Sequence, residues 1–164
     1  DLFCAAHTDT RQIQILLFKN NIASDGFNGI KTFGCHENYL AYFGTMELYN
    51  QGSFIPFIVT RQIFDGTGSW NNYGTFFLSQ RARVLGGSKN IRLFIAMKSA
   101  GRFPRIHLTY SDSNILDVAA FLKIGTTSLM LSLVEEKLLP HIVCTEPMRA
   151  LLSVSQYGPK EKVV

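Results

Sequence analysis

The sequence predicts an α+β fold. Three observations carry the prediction: several short segments whose apolar residues alternate or run together as strands do, one long segment with apolar residues at helical spacing, and no regular strand–helix–strand alternation. With 164 residues, 46% of them hydrophobic and 17% charged, the chain has the means to bury one core and reads as one domain.

Taken in order, residues 12–18 (QIQILLF) read as a strand. Residues 19–34 are rich in Asn, Gly, Ser and Asp and read as a long loop. Residues 37–49 fit a helix, or a short strand followed by a helix. Residues 53–64 (SFIPFIVTRQIF) have the spacing of a mostly buried helix, with Ser53 as N-cap and Pro56 in the first turn. DGTGSWNNYG is a turn-rich loop, and TFFLSQRARV, IRLFIAM and RIHLTYS read as strands. Residues 114–136 form the clearest helix, with Asn114 as N-cap and a break expected at Gly125-Thr126-Thr127. Residues 142–154 hold a strand and a short helix.

Composition excludes some classes. No apolar run approaches the ~20 residues of a membrane span, and no signal-peptide pattern is present. The three cysteines, Cys4, Cys35 and Cys144, are too few and too scattered for a disulfide framework and suit a reducing cytoplasm. The net charge of +4 is spread loosely, without the basic helix or motif of a nucleic-acid binder. No nucleic-acid partner and no membrane are expected. The first residue is Asp1, so the chain is expected to be a fragment of a longer one.

Three constellations could carry chemistry. In FGCHENYL (33–40), His36 and Asn38 share a face if the segment is extended, and Glu37 points the other way; alone, the pair reads more readily as a turn satisfying its own backbone. In RIHLTYSDSN (105–114), Arg105 and His107 alternate with apolar residues, so that strand face is solvated or is a site. In VTRQIFDGTG (59–68), Arg61 lies in an apolar helix and must snorkel or find an anionic partner. The GTG that follows is weak evidence for phosphate binding, with no Walker lysine beside it.

Order is more specific than any one motif. Lys19-Asn20-Asn21, Gly34-Cys35-His36-Glu37-Asn38-Tyr39-Leu40, Pro56-Phe57-Ile58-Val59-Thr60-Arg61-Gln62, Gly66-Thr67-Gly68, Leu78-Ser79-Gln80-Arg81, Arg105-Ile106-His107, Asp112-Ser113-Asn114 and Leu122-Lys123-Ile124-Gly125-Thr126-Thr127 follow one another over residues 12–136. This series resembles the glutamine synthetase superfamily, and within it the branch that acts on Pup, the prokaryotic ubiquitin-like protein. The resemblance implies a glutamine synthetase-like antiparallel sheet cradle with helices packed on its outer face. It also implies that residues 1–164 are a partial catalytic domain, with the metal-binding glutamates and an essential aspartate upstream; the segment alone is not expected to turn over substrate. Where relatives carry an acidic, histidine-containing segment, this chain has IRLFIAMKSAGRF.

The branch has two activities, both using ATP and Mg2+ as cofactors. One is deamidation of the C-terminal Gln of Pup or hydrolysis of the Pup–lysine isopeptide. The other is ligation of Pup to a protein lysine through a glutamyl phosphate. Gly125-Thr126-Thr127 resembles the first more closely, so deamidase/depupylase is the expectation, with Pup–protein ligase as the alternative. A related ligase joining a small amine to a glutamyl carboxylate and a non-catalytic Pup-binding homologue are the further rivals. Partners are then Pup or a Pup-like modifier and its lysine-linked targets. By position in the motifs, Arg61 and His36 are catalytic, Arg105, His107 and Asn38 bind nucleotide, His107 also meets metal, and Arg81 and Asn21 meet substrate.

Overall fold

A computed structural model describes residues 22–24, 30–42, 52–71, 73–85, 95–100 and 103–157. The strand expected at 12–18, the substrate residue Asn21 and residues 43–50 lie outside them.

The centre is an antiparallel sheet in the order β3–β7–β6, formed by β3 (Cys35–Leu40), β7 (Phe103–Ser111) and β6 (Ile95–Ala100). The alternation of RIHLTYS dictates its two faces. Ile106, Leu108 and Tyr110 are buried, whereas Arg105, His107 and Thr109 are only partly so. On β3, Glu37 is buried between exposed His36 and Asn38. Among the described residues, four helices supply the rest of the core: α1 (Phe54–Asp65), α2 (Gln80–Leu85), α3 (Asp117–Glu135) and α4 (Pro147–Tyr157). Phe54, Ile58 and Val59 of α1, Leu131 and Val134 of α3, and Leu151 and Val154 of α4 join Ile106, Leu108 and Tyr110 in one apolar cluster. Among the described residues, the helices therefore cover one face of the sheet and none covers the other, the open face.

Several expectations are corrected. Residues 19–34 are not wholly loop: β1 (Ile22–Ser24) pairs antiparallel with β2 (Ile30–Thr32). TFFLSQRARV is not one strand. It splits into β5 (Phe76–Phe77), paired with β4 (Ser69–Trp70), and helix α2. The helix starts there because Ser79 Oγ accepts from the Ala82 N–H, while the Asp112 carboxylate takes the Gln80 and Arg81 N–H groups at 2.9 Å each. Ser53 precedes α1, but its side chain makes no cap bond; its hydroxyl donates to the Pro140 carbonyl. Asn114 does not cap α3, whose N-cap position is Leu116; its amide donates to the Asp65 carbonyl. The helix runs unbroken through Gly125, although Thr126 and Thr127 bond back to the Leu122 and Lys123 carbonyls, which slightly weakens a helix; Lys123 and Thr127 anchor it to the rest of the domain. Residues 142–146 form no strand.

By length and composition α3 is apolar enough to cross a membrane, with 19 residues and a mean hydropathy of 1.4. One of its faces is nonetheless locked into the domain through Lys123, Thr127, Leu131 and Val134.

The Gly66-Thr67-Gly68 turn is built for close packing. A Cβ on Gly66 would stand 2.3 Å from the Leu78 carbonyl oxygen and 2.6 Å from that of Gln62. Gly66→Ala is expected to destabilise the fold by about 2–3 kcal/mol through this overlap with backbone, measured as a lowered denaturation midpoint with unchanged m-value.

Candidate functional site

On the open face, β3 and β7 bring three predicted residues together. Asn38 is registered opposite His107, and His107 Nδ1 donates to Asn38 Oδ1 across 2.7 Å. The His36 ring stands edge-on to that of His107, with centroids 4.9 Å apart and planes at 87°. The register slips between Cys35 and Glu37: Thr109 and Tyr110 of β7 together stand opposite the single His36, so the irregularity is an extra residue in β7 and pairing is interrupted beside His36. Arg105 lies two residues before His107, opposite Leu40 and, on β6, opposite Lys98. Among the described residues its buried Nε has no hydrogen-bond partner, and a guanidinium is suited to an anion.

Behind the same strand lies a buried ionic network that the sequence only hinted at. Glu37 accepts from Arg61 Nη2 at 2.6 Å and Nη1 at 2.9 Å, from the Tyr39 hydroxyl and from the Ser111 hydroxyl. Arg61 Nε lies 2.8 Å from Asp65 Oδ2, an ion contact too poorly aligned for a hydrogen bond. The guanidinium also donates to the Thr127 hydroxyl and covers the Tyr110 ring at 4.9 Å. Burial works against ionisation of Glu37, but the Arg61 charge and hydrogen bonds outweigh it and hold its carboxyl below the usual range. Asp65 goes the other way: burial, only partly offset by Arg61, pushes it up to about 6.

A third cluster centres on Asp112. Its carboxylate accepts from the Thr67 N–H and hydroxyl, the Ser79 hydroxyl and the two N–H groups that open α2. Its carbonyl takes Lys123 Nζ at 2.7 Å. A cavity of about 340 Å³ opens between β3 and the first half of α3, lined by His36, Asn38, Tyr39, Asn114, Lys123 and Ile124 among others.

Three predicted roles do not fit the geometry. Arg61 does not reach the open face. It is fully buried on the helix side of the sheet, with Glu37 and Asp65 as the anionic partners that its apolar helix demanded, and its charge stabilises the fold. Arg81 lies on a helix rather than a strand end, and its guanidinium is committed to the Thr109 and Thr32 carbonyls and the Thr32 hydroxyl. It ties β2 to β7. Nor does His107 fit the expected Mg2+. The donors beside it are a second imidazole and an amide oxygen already taken, magnesium requires several oxygens, and no group of three His, Cys, Asp or Glu able to hold a metal occurs among the described residues.

Sequence reasoning gave no role to Asp65, Asp112 or Lys123, although the last two stand within the ordered motifs. The signal for Asp65 was present: it stands four residues after Arg61 on the same helix face.

Comparison with known proteins bears on the family and the fold. The family model described as Pup-ligase protein matches residues 2–162. A Pup–protein ligase of Corynebacterium diphtheriae is 35% identical over 138 residues, covering 78% of this chain and 28% of the relative. Among solved structures, the Pup ligase PafA in complex with ADP aligns with a TM-score of 0.73 at 27% identity, over 88% of this chain and 34% of that one. PafA in complex with Pup aligns with a TM-score of 0.71 at 28% identity, over 85% and 30%. The chain thus spans about a third of the length of the relatives it matches. Its antiparallel sheet with helices on one face is part of their glutamine synthetase-like fold. The relatives are named as ligases, which favours the ligase alternative over the expected deamidase/depupylase.

Proposed function

We propose, since the chain belongs to the Pup-ligase family, that the protein is an ATP-dependent ligase joining the C-terminal Glu side chain of Pup to a lysine of a target protein. Gly125-Thr126-Thr127 was the sequence feature that leaned toward hydrolysis. Ligases tend to have Gly-Ala-Thr there, so the position that differs is Thr126, whose hydroxyl is directed back to the Leu122 carbonyl of its own helix and takes no part in the Asn38–His107–His36 group.

One observation carries the site assignment: the buried Nε of Arg105, without a hydrogen-bond partner among the described residues, shares a strand face with the linked Asn38–His107–His36 group. That donor set fits nucleotide phosphates, since a guanidinium and an imidazolium both make charge-assisted bonds to phosphate oxygens. ATP, when bound, supplies the phosphoryl group that activates the Pup carboxylate. Arg105 and His107 orient the phosphates, and Asn38 fixes the His107 ring. His36, opposite the β7 irregularity, faces the substrate side of the same surface. Mg2+ is assigned to none of these residues.

The test is conjugation by the full-length protein, with ATP, Mg2+, a Pup ending in Glu and a lysine-bearing target. Isopeptide-linked product is expected. Arg105→Ala should reduce its rate about a hundredfold, the effect of removing one charge-stabilising donor, with an unchanged melting temperature. Net release of Pup from a conjugate, with no conjugation, would reverse the assignment.

A further inference from the structure

Between His36 and Asn38 stands Glu37, whose side chain leaves the open face for the core. At His36 the ladder register slips, so the backbone there is held less by strand pairing than elsewhere. Side chains take over. The Glu37 carboxylate is gripped from α1 by both terminal nitrogens of Arg61, from β7 by Ser111 and from β3 by Tyr39. Ser111 Oγ also lies 3.1 Å from the Cys35 carbonyl, just before the slip. Three elements thus fix one residue whose two neighbours are the site residues.

We propose that Glu37, clamped by Arg61, is a positioning residue for the open face. It sets the stretch of β3 opposite the β7 irregularity so that Asn38 meets His107 and His36 stands against its ring. The inference rests on the nucleotide-site reading above for its functional consequence, but its geometric claim stands apart. A residue that orients site residues without touching substrate acts through their placement.

The experiment uses full-length protein with ¹⁵N-labelled histidine, comparing the parent, Glu37→Gln, Tyr39→Phe and the exposed control Glu146→Gln. Glu37→Gln weakens the clamp. Tyr39→Phe removes one bond to the same carboxylate and keeps a folded variant in hand should the first fail to fold. In the folded variants, the His107 Nδ1 resonance is expected to move and ADP affinity to fall about tenfold, the lower end of the cost of losing an orienting partner; the control moves neither. Unchanged His36 and His107 resonances alongside a lowered melting temperature would overturn the proposal, leaving the clamp as packing alone. ADP titration of the parent tests the site reading separately. If His107 does not respond to ADP there, the nucleotide assignment fails, while positioning is still decided by the variants' imidazole signals.

Discussion

Replacing Arg61 by Leu is expected to destabilise the fold by about 3–5 kcal/mol, because it strands buried carboxylates without their cation. Arg61, Glu37 and Asp65 are all nearly inaccessible, with side chains 0%, 5% and 2% exposed. The loss should appear as a large drop in denaturation midpoint, and Arg61→Lys should recover only part of it, since an ammonium cannot make the paired contact to Glu37. The two carboxylates respond to pH in opposite senses. Asp65 has its folded pKa raised from 3.8 to about 6, so its stabilisation is complete below the lower value and lost as pH rises through the upper one. Glu37 is lowered from 4.5, so its stabilisation is present above that value and lost as pH falls through the folded one. Removing Arg61 takes away the cation that opposes protonation of both, and the variant's residual stability should therefore shift toward acid relative to the parent.

Asp112→Ala is the second large effect. One carboxylate gathers five donors from Thr67, Ser79, Gln80 and Arg81. Its loss leaves the first turn of α2 uncapped and detaches the Gly66–Gly68 turn. With each unsatisfied buried donor costing about 1–3 kcal/mol, the destabilisation should reach at least about 3 kcal/mol. Amide exchange should locate it: the Thr67, Gln80 and Arg81 amides lose protection beyond the global change. Equal losses throughout the core would contradict the local assignment.

How far the fold was legible depended on where each element's determinants lie. β7 announced itself through the alternation of Arg105, Ile106, His107 and Leu108, and α1 through Pro56 and the apolar spacing around it. Helix α2 did not, because its first turn is satisfied by Asp112, more than thirty residues away. The β1–β2 pair was hidden by a composition suited to turns; its cross-tie, Arg81 to Thr32, is also remote in sequence. The unbroken course of α3 depends on tertiary anchors, Lys123 on Asp112 and Thr127 under Arg61, which outweigh the poor helix propensity of Gly125 and its neighbours.

The open face was legible as far as side-chain direction allows. An extended chain sends His36 and Asn38 one way and Glu37 the other, and antiparallel pairing brings Asn38 to His107. Motif position alone misplaced Arg61, because a place in a conserved-looking string says nothing about which side of the sheet a helix residue meets. The physical cue, an arginine within FIPFIVTRQIF needing an anion, pointed to a buried partner. It was the better guide.

The central claim is that nucleotide phosphates are held on the open face of the β3–β7–β6 sheet. A crystal structure of the full-length protein with ADP tests it most directly. The account predicts phosphate oxygens within hydrogen-bonding distance of Arg105 and His107, with Asn38 still accepting from His107 Nδ1. Phosphates bound elsewhere, with Arg105 and His107 making no contact to them, would contradict it.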